Sequence, residues 1–410
     1  MRQRSLFILT AVLTTGALTL TACGSRDDKG GGDSSNGKKT TVVIGFDAPL
    51  TGDLSALGLG MKNSADLAIK TANKDNTVPG VEFKLEALDD QAQPSVGQQN
   101  ASKLISNKDV LGVVGPLNSS VSQSMQKPFN DASLVQISPA NTGTELTQGD
   151  GWKTGDKKRP FKTYFRTATT DQVQGAFAAK YLFNTAKIKQ VYLIDDQKTY
   201  GAGLAASFKE TYTKLGGKIV GSDHINPDDR DFNAVVAKVK NSGAKALYYG
   251  GEYPAAAPLS QQLKDSGSNI PLMGGDGIYS GEFPKLNKKA QGDLATSVGK
   301  PVEQLDSAKK FIADYKTAGY KDAYEAYGGS TYDATWSIIE AVKIAVADNG
   351  GKLPDDARAK VLEAMNKVKF DGVTGPVSYD EYGDTTNTMM TAYQVDKGAW
   401  VPKLSEAYKP

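Results

Sequence analysis

Apolar and polar positions follow two alternating periodicities along this chain. From Thr40 onward, short apolar runs typical of buried strands precede longer segments with apolar residues at helical spacing. The first series predicts strands at 41–46, 81–88, 110–114 and 134–137, with helices at 56–72 and 95–106. This alternation predicts a mostly parallel sheet with helices on both faces.

A polar excursion at 149–162 interrupts the pattern, which then restarts. The second series predicts strands at 190–194, 218–223, 246–249 and 271–273, and helices at 172–183, 204–215, 232–240 and 259–266. Helices at 307–318, 332–347 and 355–368 and extended segments at 370–379 and 391–395 close the chain. Because the second series repeats the first, we predict an α/β protein of two similar doubly wound lobes rather than one large sheet.

Two loops of the first series, at 115–120 and 138–144, are dense in hydroxyl groups, glycine and proline. Each follows a predicted parallel strand, and ligands bind at the carboxyl ends of such strands where the strand order switches. Hydroxyls and the backbone N–H groups of the following helix starts suit a small anion. Ordinary helix caps are the alternative for any single Ser or Thr. Two such loops on one sheet favour a binding site.

Length and charge narrow the class of protein. At 410 residues, two domains are expected, and 39% hydrophobic with 23% charged residues is typical of a globular body. The 48 basic and 46 acidic residues become 46 of each once Arg2 and Arg4 are assigned to a removable leader. This balance gives no indication of a nucleic-acid partner or of binding to a strongly charged membrane surface.

The N-terminus carries the most specific short signal. Two arginines precede an apolar segment at 6–20, which is of signal-peptide length. The segment ends in Leu20-Thr21-Ala22-Cys23, which resembles the bacterial lipobox and implies a signal peptide at 1–22 and a lipid anchor on Cys23. An unmodified cysteine after an ordinary signal peptide is the alternative. Cys23 is the only cysteine, so it cannot form an internal disulfide.

Residues 24–39 are rich in Gly, Ser, Asp and Lys and contain almost no apolar side chains. Such a segment cannot form a core, so we expect 23–39 to be a lipidated flexible tether. A tethered, lipid-anchored body indicates an extracytoplasmic protein on the outer face of the cytoplasmic membrane, in a Gram-positive cell.

The sequence contains few of the residue types that catalytic and metal sites require. His224 is the only histidine and Cys23 is assigned to the anchor, so the sequence indicates no Cys/His pair, no Ser/His/Asp set and no histidine-based metal cluster. A hydrolase that uses only carboxylates, among Asp195, Asp196 and Asp276, stays open, although these residues stand where helix caps are common. We therefore expect no enzyme, no metal and no cofactor.

Several short blocks in one collinear order resemble a known family. They are 115–120, 137–146, 200–205, 248–251, 273–277, 331–334 and 375–376. With them, nearly the whole chain from Thr40 resembles the leucine/isoleucine/valine-binding proteins that supply ABC importers, with the type I periplasmic-binding-protein fold. The resemblance implies an N-terminal lobe at 40–167 and 299–375 and a C-terminal lobe at 168–298 and 376–410. It also implies a hinge of three crossings, near Thr167, Gly299 and Gly375, and a monomer that delivers its ligand to permease subunits.

The resemblance also implies a binding site between the lobes. The α-carboxylate of an amino acid would be held by Ser119 and Thr142, and its α-ammonium by the Ala140 carbonyl and by Asp276. The side-chain pocket would be walled by Leu57, Leu117, Asn118, Tyr200 and Tyr327.

Three positions depart from the best-known members of that family. Ala92 and Asn118 stand where those proteins have a cysteine pair, Leu57 replaces an aromatic residue, and Glu252 replaces a tyrosine wall. A carboxylate in an apolar pocket is costly unless it is paired. Glu252 is therefore expected either to join Asp276 at the ammonium or to favour a polar or basic side chain.

The sequence thus predicts the substrate-binding lipoprotein of an ABC importer, which closes on a branched-chain or other aliphatic L-amino acid. A ligand-sensing receptor domain, or a binding protein for a polar amino acid, an amide or urea, is the alternative, because the fold by itself does not decide function.

Overall fold

The computed structural model describes residues 39–409. The predicted signal peptide, the proposed anchor Cys23 and the tether up to residue 38 lie outside these residues. Within the described part of the chain, no helix is both long and apolar enough to cross a membrane.

The first sheet consists of five parallel strands in the order β2-β1-β3-β4-β5. They are β1 (Thr40–Ala48), β2 (Val81–Asp89), β3 (Val110–Val114), β4 (Val135–Ser138) and β5 (Tyr164–Arg166). The strand order reverses between β1 and β3, which is where open sheets of this type bind ligands.

Helices from two parts of the chain cover this sheet. The first group is α1 (Ser55–Lys74), α2 (Pro94–Ser106), α3 (Ser119–Asp131) and α4 (Glu145–Gln148). The second group is α10 (Lys309–Ala318), α11 (Gly328–Asp348) and α12 (Ala357–Met365), of which α11 packs on α1 and β3. Gly112 permits this packing, because a Cβ there would lie 2.9 Å from the Ile338 side chain.

The second sheet has seven strands in the order β14-β13-β10-β9-β8-β6-β7. They are β6 (Gln190–Asp195), β7 (Lys218–His224), β8 (Ala246–Gly250), β9 (Leu272–Gly274), β10 (Leu294–Val298), β13 (Met389–Asp396) and β14 (Ala399–Ala407). The strands from β6 to β10 are parallel and repeat the order of the first sheet, whereas β13 and β14 add antiparallel strands at one edge.

The second sheet has its own helices. They are α5 (Asp171–Lys180), which continues as a π-helical turn (Tyr181–Thr185), α6 (Thr199–Lys214), α7 (Asn233–Asn241), α8 (Tyr253–Asp265) and α9 (Phe283–Leu286). Short 3₁₀ segments occur at Asp150–Thr154, Asp276–Ile278, Val302–Gln304 and Asp306–Ala308.

The chain passes between the two sheets three times. It leaves the first sheet after β5, returns after β10, and leaves again after a small antiparallel pair formed by β11 (Phe370–Gly372) and β12 (Gly375–Val377). It next joins the second sheet at β13. These passages lie at or near the three predicted hinge positions, and the two-lobed α/β architecture with mostly parallel sheets is confirmed.

Three strands, β5, β10 and β14, were not predicted from the sequence, and β5 is only three residues long. Strand β10 buries the hydroxyl residues Thr296 and Ser297, so it lacks an apolar run. Strand β14 contains Pro402, which argues against a central strand but is tolerated at an edge, and β14 is an edge strand. Helix α8 begins six residues earlier than predicted because Pro254 is compatible with the first helical turn.

Candidate ligand-binding site

One cavity between the lobes contains about 300 Å³ of space, including its solvent-open side, and is lined by residues from both lobes. Its lining consists of Leu57, Leu117, Asn118, Ser119, Ala140, Tyr200, Glu252, Asp276, Gly277 and Tyr327. All the residues that the sequence suggested for the site are among them except Thr142, which lies fully buried two positions beyond Ala140. Gly277 was not anticipated.

The two first-lobe loops are fastened to each other by Ser138. Its Oγ accepts hydrogen bonds from the backbone N–H groups of Ala140 (3.2 Å) and Asn141 (3.0 Å), and its hydroxyl donates to the Pro116 carbonyl (2.8 Å). The Asn141 side-chain amide donates to the Leu117 carbonyl (2.7 Å). These bonds hold the loop after β4 against the loop after β3.

A buried arginine supports the same loop from behind. The Arg166 guanidinium donates to the carbonyls of Asn141 (3.2 Å) and Gly143 (2.7 Å), and its Nε lies 2.6 Å from a carboxylate oxygen of Asp384. Both side chains of this ion pair are buried. A buried charge needs such full pairing, so the loop is held by a network that is costly to break.

Donor groups at the first-lobe end of the cavity, and directly behind it at Thr142, have no hydrogen-bond partner among the described residues. Helix α3 begins at Ser119, and its N-cap residue Asn118 makes no capping bond with its side chain. The first backbone N–H groups of a helix have no intrahelical acceptor, and they attract negative charge. The buried Thr142 hydroxyl is likewise without a hydrogen-bond partner within residues 39–409. This end of the cavity is suited to an anion.

The opposite, second-lobe end presents an acceptor. Oδ1 of Asp276 accepts hydrogen bonds from Tyr200 Oη (2.8 Å) and Gln174 Nε2 (3.0 Å), while the Asp276 N–H donates to Gln174 Oε1 (2.8 Å). Oδ2 is buried and has no partner in the described part of the chain. Burial raises the pKa of Asp276, and the neighbouring side chains of Tyr200, Gln174 and Tyr327 partly oppose this rise. A cation at Oδ2 would satisfy the carboxylate.

Glycines on either side of Asp276 permit the close packing of Tyr200. A Cβ on Gly275 would lie 2.4 Å from Tyr200 Oη, and one on Gly277 would lie 2.8 Å from the Tyr200 ring. The Gly277 N–H also donates to Tyr200 Oη (3.0 Å). The glycines at 275 and 277 are therefore explained by the close approach of the Tyr200 ring.

Glu252 is the N-cap residue of α8, and its side chain makes no capping bond. Instead, its Oε1 accepts a short hydrogen bond from Asn118 Nδ2 of the other lobe, and its Oε2 lies 3.8 Å from Lys198 Nζ. Burial raises the pKa of Glu252, and both Lys198 and Asn118 act to lower it. The carboxylate is thus partnered by protein groups on both sides.

Two polar residues beside the site were missed by sequence reasoning. Gln174 lies on α5 and orients Asp276 through the two bonds described above. Asp171 begins α5, is buried, and has no hydrogen-bond partner for either carboxylate oxygen among residues 39–409, while its N–H donates to the Thr142 carbonyl (2.6 Å). Burial raises the pKa of Asp171 well above its ordinary value, and the neighbouring Thr142 hydroxyl acts to lower it. Neither residue carries a sequence signal, since Gln174 reads as an ordinary helical position and Asp171 as an ordinary residue before a predicted helix.

The carboxylates considered for hydrolysis are not assembled into one site. Asp195 lies 2.8 Å from His224 Nδ1 and accepts the Gln197 N–H (2.9 Å), and Asp196 accepts the Lys198 N–H (2.9 Å). Of the three, Asp276 alone lines the cavity. The described residues also contain no cluster of His, Cys, Asp or Glu that could hold a metal ion.

Two α/β lobes with a small cavity between them, lined by apolar residues and a few polar groups, are an arrangement typical of ligand-binding proteins. The family model described as periplasmic binding protein matches residues 41–399, so the chain belongs to the periplasmic binding protein family. This family comprises substrate-binding proteins of ABC transporters and is non-enzymatic.

Individual relatives agree with this assignment. The chain is 31% identical to the Leu/Ile/Val-binding protein BraC3 of Rhizobium johnstonii over 358 residues, which is 87% of this chain and 92% of that protein. It is similar in structure to LivJ of Streptococcus pneumoniae in complex with isoleucine, with a TM-score of 0.77, 25% identity, and coverage of 90% of this chain and 100% of that one. A solute-binding protein of R. palustris in complex with 4-hydroxybenzoate has a TM-score of 0.78 at 19% identity, with coverage of 90% and 98%, and shares the fold.

Proposed function

We propose that this protein is the extracytoplasmic substrate-binding component of an ABC importer, and that it binds an aliphatic L-α-amino acid. The observation that carries the proposal is the polarity of the cavity: donors at one end and Asp276 Oδ2 at the other have no hydrogen-bond partner among residues 39–409. A zwitterion needs this arrangement. The names of the relatives, which include Leu/Ile/Val-binding proteins, support the same ligand class.

The α-carboxylate is proposed to lie at the start of α3. Ser119 would supply its hydroxyl and backbone N–H, and Thr142 its hydroxyl. Hydrogen bonds to charged groups contribute about 1.5–3 kcal/mol each. The helix N-terminus adds a favourable electrostatic contribution for an anion.

The α-ammonium is proposed to lie between the Ala140 carbonyl and Asp276. Both line the cavity, and Tyr200 and Gln174 fix the orientation of the carboxylate. An ammonium at Oδ2 would oppose the effect of burial on the pKa of Asp276, so that the carboxylate is ionised in the complex.

The side chain would contact Leu57, Leu117, Tyr200 and Tyr327, all of which line the cavity. Because Glu252 already has partners in Asn118 and Lys198, its presence is compatible with an aliphatic ligand. Burial of a leucine-sized side chain contributes about 1.5–3 kcal/mol. Together with the polar contacts, this is consistent with micromolar affinity, about −8 kcal/mol.

Delivery is proposed to occur by hinged closure. Each lobe carries half of the site, so a ligand that contacts both halves shifts the equilibrium toward the closed form. Contacts between the lobes support this, among them the Asp53–Arg230 ion pair (2.6 Å) and the Gln123–Thr199 hydrogen bond (3.0 Å). The closed form would be presented to the permease, and Cys23 would carry the lipid that holds the protein at the membrane.

A polar amino acid, an amide or urea is the second candidate, favoured by the Glu252 carboxylate in the cavity wall. A thermal-shift screen against the common L-amino acids, urea, short amides and benzoates separates these possibilities. A ligand at a hundredfold excess over its Kd stabilises the native state by about 2.7 kcal/mol. We expect the largest shifts with leucine, isoleucine or valine, and a response to urea or amides alone would contradict the proposal. Cells that lack the gene should also lose uptake of that amino acid, whereas a loss of signalling with intact uptake would identify a sensor.

A further inference from the structure

A second and larger cavity lies beside the ligand cavity and is also formed by both lobes. It contains about 1120 Å³ of space, including its solvent-open side. The first lobe contributes the loops at 49–54 and 91–94, and the second lobe contributes Lys198, Asp228 and Pro254 among others. Glu252 is the one residue that lines both cavities.

A chain of polar contacts runs through Glu252 from one cavity to the other. Asn118, which lines the ligand cavity, donates to Oε1 of Glu252. Lys198, which lines the second cavity, lies 3.8 Å from Oε2. The Glu252 side chain is 14% exposed and the Lys198 side chain 37% exposed. Glu252 is therefore the more buried partner, and Lys198 lies nearer to solvent.

We infer that Asn118, Glu252 and Lys198 form a polar partition that limits the length of the ligand side chain. The inference rests on the proposed function. The partition stands between the ligand cavity and the second cavity, where an extended side chain would otherwise continue from one into the other. A longer side chain would have to displace a carboxylate held from two sides, and a buried charge is costly to strip of its partners.

The charge and the bulk of Glu252 make separable contributions to the partition. A Glu252→Gln variant retains the length of the side chain and an oxygen that can accept from Asn118. A Glu252→Ser variant removes most of the wall while leaving a residue type that is favoured at the N-cap of α8. Glu252→Ala serves as a second truncation.

The test is calorimetric titration with a ladder of unbranched L-amino acids, from norvaline through norleucine to 2-aminooctanoate, with leucine as the reference. In the wild type, affinity should fall at least tenfold between norleucine and 2-aminooctanoate. In Glu252→Ser and Glu252→Ala that fall should shrink to about twofold, whereas Glu252→Gln should retain most of it. Asp228→Ala, at an exposed residue that lines the second cavity but not the ligand cavity, is the matched control and should keep the wild-type profile.

Suppose that Glu252→Ser and Glu252→Ala fold, bind leucine and still show the wild-type fall in affinity with side-chain length. That result would contradict the proposed partition. A flattened profile in the Asp228→Ala control would also overturn it, because the effect would then belong to the second cavity as a whole. Failure of the wild type to bind any L-amino acid would instead refute the proposed function, so the two failures are distinguishable.

Discussion

Asn118 and Glu252, which are 134 positions apart in the chain, are hydrogen-bonded across the cleft. Each is the N-cap residue of a helix, α3 in one lobe and α8 in the other, and neither uses its side chain to cap that helix. Both stand at positions where the resemblance implied a different residue type. The two departures are therefore complementary, and together they join the lobes beside the ligand cavity.

The Asp276 carboxylate should determine affinity through the α-ammonium. Asp276→Asn keeps an oxygen that can accept from Tyr200 and Gln174 but replaces the unpartnered acceptor with a donor. We expect a loss of about 1.5–3 kcal/mol, or roughly 10- to 150-fold in Kd, by calorimetry. Asp195→Asn, at a carboxylate that does not line the cavity, is the control. Unchanged affinity in Asp276→Asn would remove this residue from the ammonium site.

The Thr142 hydroxyl should contribute to binding but not to the stability of the unliganded protein. It is buried without a hydrogen-bond partner in residues 39–409, and an unpartnered buried polar group is unfavourable. Thr142→Val should therefore leave the Tm of the free protein unchanged or slightly higher. The ligand-induced rise in Tm should fall, because Kd increases about tenfold. A full ligand-induced shift in this variant would show that the hydroxyl does not contact the ligand.

The Arg166–Asp384 ion pair should be essential to stability, since both side chains are buried. Removal of one partner from a buried pair costs about 3–5 kcal/mol, because the other charge is left uncompensated. Asp384→Asn should thus lower the free energy of unfolding by about that amount in denaturant titrations. Asp306→Asn, in an exposed pair with Lys309, should change it by less than about 1 kcal/mol. Equal effects of the two substitutions would contradict the network described for the first-lobe loops.

Stability should decrease as the pH rises from 5 to 8. Burial raises the pKa of Asp196 to about 7 and that of Asp90 to about 6, from the ordinary value of 3.8. The folded state therefore binds protons more tightly than the unfolded state. Its stabilisation is complete below about pH 4 and is lost as the pH passes through 6 to 7.

Calorimetric Tm values across this range should show the decline. Asp196→Asn should flatten it between pH 6 and 8, since the amide oxygen can still accept from the Lys198 N–H but no longer titrates. An identical slope in the variant would assign the pH dependence to other groups.

Much of the fold was predictable because hydrophobic periodicity reports burial directly. The parallel strands of both sheets are apolar runs between helical segments, and the exceptions are informative. Strand β10 is buried but contains the polar residues Thr296 and Ser297, so its sequence does not indicate burial. Strand β14 contains Pro402, which is tolerated because β14 is an edge strand.

Most residues of the candidate site could likewise be predicted from the sequence, but the contacts between their side chains could not. The lining residues follow strand ends and match a family pattern, so they could be named one by one. The Asn118–Glu252 contact, the orientation of Asp276 by Gln174 and the buried Asp171 depend on the approach of distant segments. No local pattern encodes those distances.

In the proposed complex, both charged ends of an amino acid are bound between the lobes. Calorimetric titration of the chain from Thr40 onward with L-leucine, 4-methylpentanoate and 3-methylbutylamine tests it most directly, since each analogue lacks one charged group. We expect micromolar binding of L-leucine, or of isoleucine or valine in its place, and at least 100-fold weaker binding of both analogues. Binding of 4-methylpentanoate as tight as that of leucine, or no binding of any aliphatic L-amino acid, would contradict it.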